Sequence, residues 1–284
     1  MAVLSDTHLS RTHPFFFHNW SVARDAANEL HPDVVVVIGD LSFNGPVVPD
    51  DLDVAAAEME RLSAAHRLVL PGNHDVGYGP GVGAEQVITE DIRTAYRARF
   101  GYDFWCFDHG GWRFVGLNPF LFATGREAEH EQNRMIEDAV ATHTGPIGVF
   151  THVPLFGNDP DELGTEPSAT IPPDARRRLL DKFRQAGTVR FVASGHLHRH
   201  KRMRFDGIDY IWAPATAFMS TAPKADRWGG SPLVGFLHFQ FDGDRYTFDV
   251  IEPDDMINMD LRNWMRGPRH GYYKLAAQPF RHPN

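Results

Sequence analysis

Arg67-Leu68-Val69-Leu70, followed by Pro71-Gly72-Asn73-His74-Asp75, is a short apolar run that stops abruptly at residues able to turn the chain, bind a cation or donate a proton. The run is too short for a buried helix and the right length for a buried strand. The same construction recurs on both sides of it. Ala2–Leu4 leads into Asp6-Thr7-His8, Val34–Ile38 into Gly39-Asp40, Ile147–Phe150 into Thr151-His152, and Val189–Ala193 into Ser194-Gly195-His196-Leu197-His198. Helical patterns lie between, at Trp20–Leu30, Asp51–Ala65, Thr89–Phe100, Glu127–Ala141 and Asp174–Ala186. The last is started by Pro172-Pro173 and stopped by Gly187, residues suited to opposite ends of a helix.

Buried strands alternating with helices imply βαβ units and an α/β fold class, in which ligands bind just beyond the carboxyl ends of the strands. Each polar cluster above falls at such an end. Further strands are expected at Arg113–Leu117 and Tyr210–Ala213, and a hairpin of Val234–Phe241 and Arg245–Ile251 about Asp242-Gly243-Asp244. Gly77–Gly83 and Gly157–Pro173 read as loops.

Composition narrows the chemistry. The 284 residues, 42% hydrophobic and 23% charged, fit an ordinary globular chain of one large or two small domains. A single cysteine excludes a disulfide scaffold and any multi-thiolate zinc site, so a bound metal must be held by nitrogen and oxygen. The net charge of −9 argues against partners made of long nucleic acid. No apolar run of about 18 residues is present, so no membrane span is expected. The start at Met1–Asp6 lacks the pattern of a signal peptide, which makes a cytoplasmic location the expectation.

Alternate residues of an extended segment project the same way, which would aim Asp6 with His8 and His196 with His198. Asp40 has two carboxylate oxygens and can bridge two cations; Asn73 adds an amide oxygen and His152 an imidazole. Those seven residues suffice for two sites sharing Asp40. Two cations about 3.5–4 Å apart clamp phosphoryl oxygens and activate a shared water, so phosphate-ester hydrolysis by a metal-bridging hydroxide is expected. His74 is placed to protonate the leaving oxygen, with Asp75 orienting its imidazole or raising its pKa. Asn44, Asn73 and His74 are candidate contacts to the substrate phosphate. Other features read as structure: Phe15–Phe17 with His13 and His18 as packing, Arg199–Arg202 as a solvated edge strand, and Cys106 as a small buried hydrophobe.

Asp6-Thr7-His8, Gly39-Asp40, Gly72-Asn73-His74-Asp75, Thr151-His152 and Gly195-His196-Leu197-His198 resemble the five ordered motifs of the calcineurin-like metallophosphoesterase superfamily, over residues 4–198. The resemblance implies a four-layer α/β sandwich of two mixed β-sheets flanked by helices. It implies one metal held by Asp6, His8, Asp40 and His198, and a second by Asp40, Asn73, His152 and His196, with Mn, Fe, Zn or Co as candidates. The Asp-Arg-Gly stretch and following Glu of the Ser/Thr protein phosphatases are absent, Leu41–Gly45 and Asp75 standing in their places. No Tyr lies between Asp40 and Asn73, where purple acid phosphatases carry a ligand. Gly72-Asn73-His74-Asp75 and His152-Val153-Pro154 look most like the class III cyclic nucleotide and glycerophosphodiester phosphodiesterases. A small phosphodiester is therefore the expected substrate, with phosphomonoester hydrolysis and a non-catalytic scaffold as alternatives. Residues 1–255 are expected to form the catalytic domain. Residues 256–284 read as an extension packing on it or on a second subunit of a homo-oligomer; from Arg262 onward they hold five Lys/Arg and no Asp/Glu.

Overall fold

The structure is a computed structural model that describes residues 1–82, 86–162, 168–221 and 226–260. In chain order its elements are β1 (Ala2–Leu4), α1 (Phe17–Glu29), β2 (Val34–Ile38), α2 (Pro49–Met59), β3 (His66–Leu70), α3 (Asn73–Val76), α4 (Glu90–Phe100), β4 (Trp105–His109) and β5 (Trp112–Leu117). They continue with α5 (Glu127–Thr142), β6 (Ile147–Thr151), α6 (Pro173–Ala186), β7 (Val189–Ser194), β8 (Lys201–Phe205), β9 (Ile208–Trp212), β10 (Phe236–Asp242) and β11 (Arg245–Ile251).

Two mixed sheets result, ordered β11-β10-β1-β2-β3 and β4-β5-β6-β7-β9-β8. β1, β2 and β3 are mutually parallel, as are β5, β6, β7 and β9; the remaining pairings are antiparallel. β1, β2 and β6 are buried along their whole length, which is why they read as continuous apolar runs instead of alternating ones. Alternate residues still part company. Val3, Val36, Leu237 and Phe239 of one sheet pack against Phe150, Phe191 and Ile211 of the other, whereas Ala2, Leu4, Val35 and Val37 bury with Trp20 of α1 and Leu52 of α2. On the second sheet Val149 and Val192 bury with Ile136 of α5 and Leu179 and Phe183 of α6. The layers are thus helix, sheet, sheet, helix, as the motifs imply. Aromatic rings fill the middle: Phe191 lies 5.0 Å from Phe239 and Trp112 4.8 Å from Phe241. A Cβ at Gly148 would overlap the Phe191 ring, so that glycine makes room for it.

Departures from expectation have local causes. α2 ends at Met59 instead of Ala65, because the chain must reverse over 60–65 to enter β3 at His66. Edge strand β4 was not expected, and edge strand β8 runs on to Phe205, past the expected Arg199–Arg202. Each is joined to its neighbour by a two-residue turn with both central residues at positive φ, Gly110-Gly111 and Asp206-Gly207, the geometry that favours tight hairpins. In β4 Cys106 is exposed, not buried; it faces away from the core on a strand that alternates half-buried and exposed. After β11, Met256 joins the core and Met259 accepts the backbone N–H of Met219, so residues 256–260 lie on the domain. Residues 261–284, the rest of the expected extension, fall outside the described residues. Among the described residues, no helix is long and apolar enough to cross a membrane.

Phe191→Ala, which empties the inter-sheet layer, is expected to lower unfolding free energy by about 3–5 kcal/mol in urea titration. A change below about 1 kcal/mol would contradict the placement of that ring.

Candidate metal centre

The carboxyl ends of β1, β2 and β3 from one sheet and of β6 and β7 from the other deliver the expected residues to one side of the molecule. Strand pleat is not what makes them converge. Asp6, His8, Asp40, His196 and His198 all have left-handed backbones, with φ of 55°, 47°, 51°, 70° and 52°. Asp and His tolerate this region better than most residues; even so it carries strain, and such residues cluster at functional sites. Asp6 and His8 are aimed together by two left-handed turns, not by an extended i, i+2 alternation. The turns are pinned by backbone hydrogen bonds: Asp6 N–H donates to Gly39 at 3.0 Å, and Thr7 and His8 N–H both donate to the Asp40 carbonyl at 2.9 Å. Glycines clear the space. A Cβ at Gly72 would overlap Asp40, and one at Gly195 the Ser5 hydroxyl.

The side chains form two clusters that share Asp40: Asp6, His8, Asp40 and His198 in one, and Asp40, His152 and His196 in the other. Asp40 Oδ2 lies 3.6 Å from His8 Nε2 and 3.3 Å from His152 Nε2, so a single oxygen faces both. His198 Nε2 is 3.3 Å from Asp6 Oδ1 and 3.3 Å from His8 Nε2. The second nitrogen of three of these rings is held by a backbone carbonyl. His152 Nδ1 is 2.8 Å from Ile38 O, His198 Nδ1 2.7 Å from Phe218 O, and His196 Nε2 2.8 Å from Ser168 O. A ring N–H donating there leaves His152 and His198 to bind through Nε2 and His196 through Nδ1. Asn73 directs its Nδ2 to Tyr78 Oη at 3.0 Å. Three buried atoms of the seven residues, Asn73 Oδ1, His152 Nε2 and His8 Nδ1, have no hydrogen-bond partner. All three residues are candidate ligands; His152 Nε2 has the Asp40 carboxylate 3.3 Å away, whereas the Asn73 oxygen has no hydrogen-bond partner, and an unsatisfied buried polar atom is costly unless something fills the gap. The donor set, oxygen and nitrogen only, suits Mn, Fe, Zn or Co.

Burying two carboxylates together would by itself raise their pKa values, yet both are held below the ordinary range, Asp6 mainly by His198 and Asp40 mainly by His152. The partners respond in kind. Burial opposes protonation of His152, but Asp40 and then Asp6 push it up to about 9; His198 is raised against burial chiefly by Asp6. Burial lowers His8 well below its ordinary value, and burial with repulsion from His152 lowers His196 to about 4. Without metal, then, Asp40 favours the protonated form of His152 and Asp6 that of His198.

The proton-donor candidates divide. The His74 ring stands 4.6 Å from that of His8, and the His74 backbone N–H donates to Asp40 Oδ1 at 2.8 Å. Its Nδ1 lies 2.6 Å from the Phe43 carbonyl. Asp75 does not take the expected part of orienting that imidazole. Its carboxylate accepts from the N–H groups of Gly72, Leu41 and Ser42 and from the Ser42 hydroxyl, at 2.7–3.0 Å. It ties the loop after β2 to the start of α3, and the Phe43 carbonyl orients His74 instead. Burial first, then the nearby Asp40 charge, pushes Asp75 up to about 6.

Asn44 is half-buried beside this loop, its Oδ1 accepting from Gln86 Nε2 at 3.2 Å. Of the aromatic run, Phe16 is buried with Phe43 and Phe218 beside the first cluster. His13 stacks on Phe43 at 4.9 Å, and His18 contacts the Asp255 carbonyl, away from the ligands. Lys201 and Arg202 lie on edge strand β8, as expected, while Arg199 is buried and donates to the carbonyls of Ser220, Gly229 and Gly230. Sequence reading missed Phe218, which stacks on His198 at 4.1 Å, as well as Ser5, Tyr78 and Ser168. Only Tyr78, within a Gly-rich loop after the Asn73 motif, carried a signal that could have singled it out.

Two nitrogen–oxygen clusters sharing one carboxylate, at the strand ends of a four-layer α/β sandwich, define a candidate two-cation centre. Residues 1–200 match the calcineurin-like phosphoesterase family, and the chain belongs to it. It is 30% identical over 211 residues to the serine/threonine-protein phosphatase CPPED1 of Danio rerio, covering 68% of this chain and 63% of that protein; it thus spans less than two thirds of the relative's length. Solved structures share the fold, two phosphatases among them. A purple acid phosphatase from yellow lupin (Lupinus luteus) has a TM-score of 0.65 at 15% identity, covering 99% of this chain and 56% of that one. A dimetal phosphatase from Danio rerio has a TM-score of 0.57 at 14% identity, covering 88% of this chain and 96% of that one.

Ligand imidazoles must be neutral, so cations would displace the protons of His152 and His198. Loading near pH 7 is expected to release protons, that of His152 above all, and affinity to rise with pH toward about 9. Calorimetry in buffers of differing ionisation enthalpy measures both. Affinity independent of pH would contradict the paired imidazoliums.

Proposed function

We propose that the protein is a two-cation phosphohydrolase, and that it acts as a phosphodiesterase on a small phosphodiester such as a cyclic nucleotide or glycerophosphodiester. The observation that carries the reading is the single Asp40 oxygen shared between His8 and His152, together with an Asn73 oxygen that is buried and unsatisfied. Asp6, His8, Asp40 and His198 would hold one cation and Asp40, Asn73, His152 and His196 the other. Bound there, two cations supply Lewis-acid polarisation of the phosphoryl oxygens and a lowered pKa for a coordinated water.

The remaining work falls to the chain. His74 binds the phosphoryl group with Asn44, and its Nδ1 is engaged by Phe43, so a proton passed to the leaving oxygen departs from Nε2. Water gives up one proton and adds to phosphorus, the bond to the leaving alcohol breaks, and His74 passes its Nε2 proton to that alcohol and takes up the proton the water released, by way of solvent. Asp75 fixes the loops that hold Asp40 and His74 in register. The diester reading is supported by the Gly72-Asn73-His74-Asp75 and His152-Val153-Pro154 pattern. A second reading, phosphomonoester hydrolysis, is favoured by the name of the Danio rerio relative, a serine/threonine-protein phosphatase. A non-catalytic scaffold has less support, since all seven ligand residues are present. The cytoplasm is the proposed location.

Turnover of bis(p-nitrophenyl) phosphate against p-nitrophenyl phosphate, extended to cyclic nucleotides and glycerophosphodiesters, separates these readings. Preference for the monoester would overturn the diester assignment. Asp40→Ala is expected to abolish loading and turnover together. His74→Ala should retain both cations and slow turnover by about 10²–10⁴-fold, more for an alkoxide than for nitrophenolate; a loss independent of the leaving group would remove His74 from the donor role.

A further inference from the structure

We infer that the hydroxyls of Tyr78 and Ser5, neither of them a ligand, are positioning groups that tune the two cation sites separately, Tyr78 acting through Asn73 and Ser5 through Asp6. The inference rests on the two-cation reading above.

A carboxamide can bind a cation only through its oxygen, and its NH₂ group then needs an acceptor of its own. Asn73 is buried, so that acceptor must come from the protein. Tyr78 Oη lies 3.0 Å from Nδ2, while Oδ1 remains buried without a hydrogen-bond partner. The position of the hydroxyl is fixed from both sides of its backbone: Tyr78 N–H donates to Gln86 O at 2.9 Å, and Ile88 N–H donates to Tyr78 O at 2.8 Å. The turn that brings the ring back over Asn73 runs through Gly77 at φ +80°, a conformation glycine adopts without penalty.

Asp6 poses the parallel problem of which oxygen faces the cation. Ser5 Oγ donates to Asp6 Oδ2 at 2.5 Å, and the His196 backbone N–H is shared between Oδ2 at 3.1 Å and Oδ1 at 3.2 Å. Oδ1 is the oxygen 3.3 Å from His198 Nε2. The Ser5 hydroxyl is the donor that engages Oδ2 and not Oδ1, so Oδ1 is the oxygen Asp6 would offer to a cation. The fold keeps space for that hydroxyl, because a Cβ at Gly195 would overlap Ser5 Oγ. Gly195 is not at positive φ, so its lack of a side chain is explained by this close approach and not by backbone conformation. Ser5 thus accounts for the glycine of the Gly195-His196-Leu197-His198 motif.

Groups that orient ligands from behind typically change metal affinity by about 10–100-fold when removed. The test is calorimetric titration of Mn²⁺ into the metal-free full chain. Wild type should fit two steps, one abolished by Asn73→Ala and the other by His8→Ala. Tyr78→Phe is expected to weaken the Asn73-dependent step by about 10–100-fold and to leave the other within about twofold. Ser5→Ala should do the reverse. Thermal midpoints of the metal-free variants should match wild type, which a merely structural role for either hydroxyl would not allow. Two intact steps in wild type with unchanged affinities in Tyr78→Phe and Ser5→Ala would overturn this inference alone, as would equal weakening of both steps by either variant. A wild type that takes up fewer than two ions would overturn the two-cation reading along with it.

Discussion

Two carboxylates, Asp6 and Asp40, are buried side by side where two sheets end, and the rest of the site is arranged around the need to neutralise them. Isolated in a low-dielectric interior, such a pair would take up protons or disrupt the fold. Here four imidazoles enclose them. The carboxylates favour protonation of His198 and His152, while burial disfavours it at His8 and His196. A cluster that is charge-balanced by protons can exchange them for cations without large rearrangement, so affinity is coupled to pH and the ligands are preorganised.

That preorganisation is a property of the backbone. Five of the seven ligand residues sit at left-handed φ, a conformation no isolated strand end would hold. The sandwich holds it because β1 and β2 are welded by parallel pairing, and the chain beyond them is cross-linked by the N–H groups of Asp6, Thr7 and His8 donating to Gly39 and Asp40. Asp75 extends the same frame to α3 with four hydrogen bonds. Aromatic rings of Phe16, Phe43 and Phe218 close one side, keeping water from competing for the carboxylates.

Much of this was legible in the sequence. The strand-then-polar construction singled out the Asp and His residues that the fold gathers into two clusters, since buried parallel strands must be apolar and polar residues lie at their ends. The two hairpins at the sheet edges were missed although their turns, His109-Gly110-Gly111-Trp112 and Phe205-Asp206-Gly207-Ile208, have Gly-containing signals. β4 and β8 face water on one side, and Lys201-Arg202-Met203-Arg204-Phe205 does not read as a core strand. The geometry of convergence was also misjudged, because positive φ at Asp or His leaves no mark in composition. Least legible were the groups behind the ligands. The carbonyls of Ile38, Ser168 and Phe218 choose which nitrogen of each ring faces inward, and a backbone carbonyl looks alike at every position in a chain.

Anomalous diffraction from crystals grown with Mn²⁺ tests the shared carboxylate most directly. Two peaks about 3.5–4 Å apart, one on either side of Asp40, are expected, the first within reach of Asp6, His8 and His198 and the second within reach of Asn73, His152 and His196. A single peak, or two that do not share Asp40, would contradict the two-cation centre on which the functional reading stands.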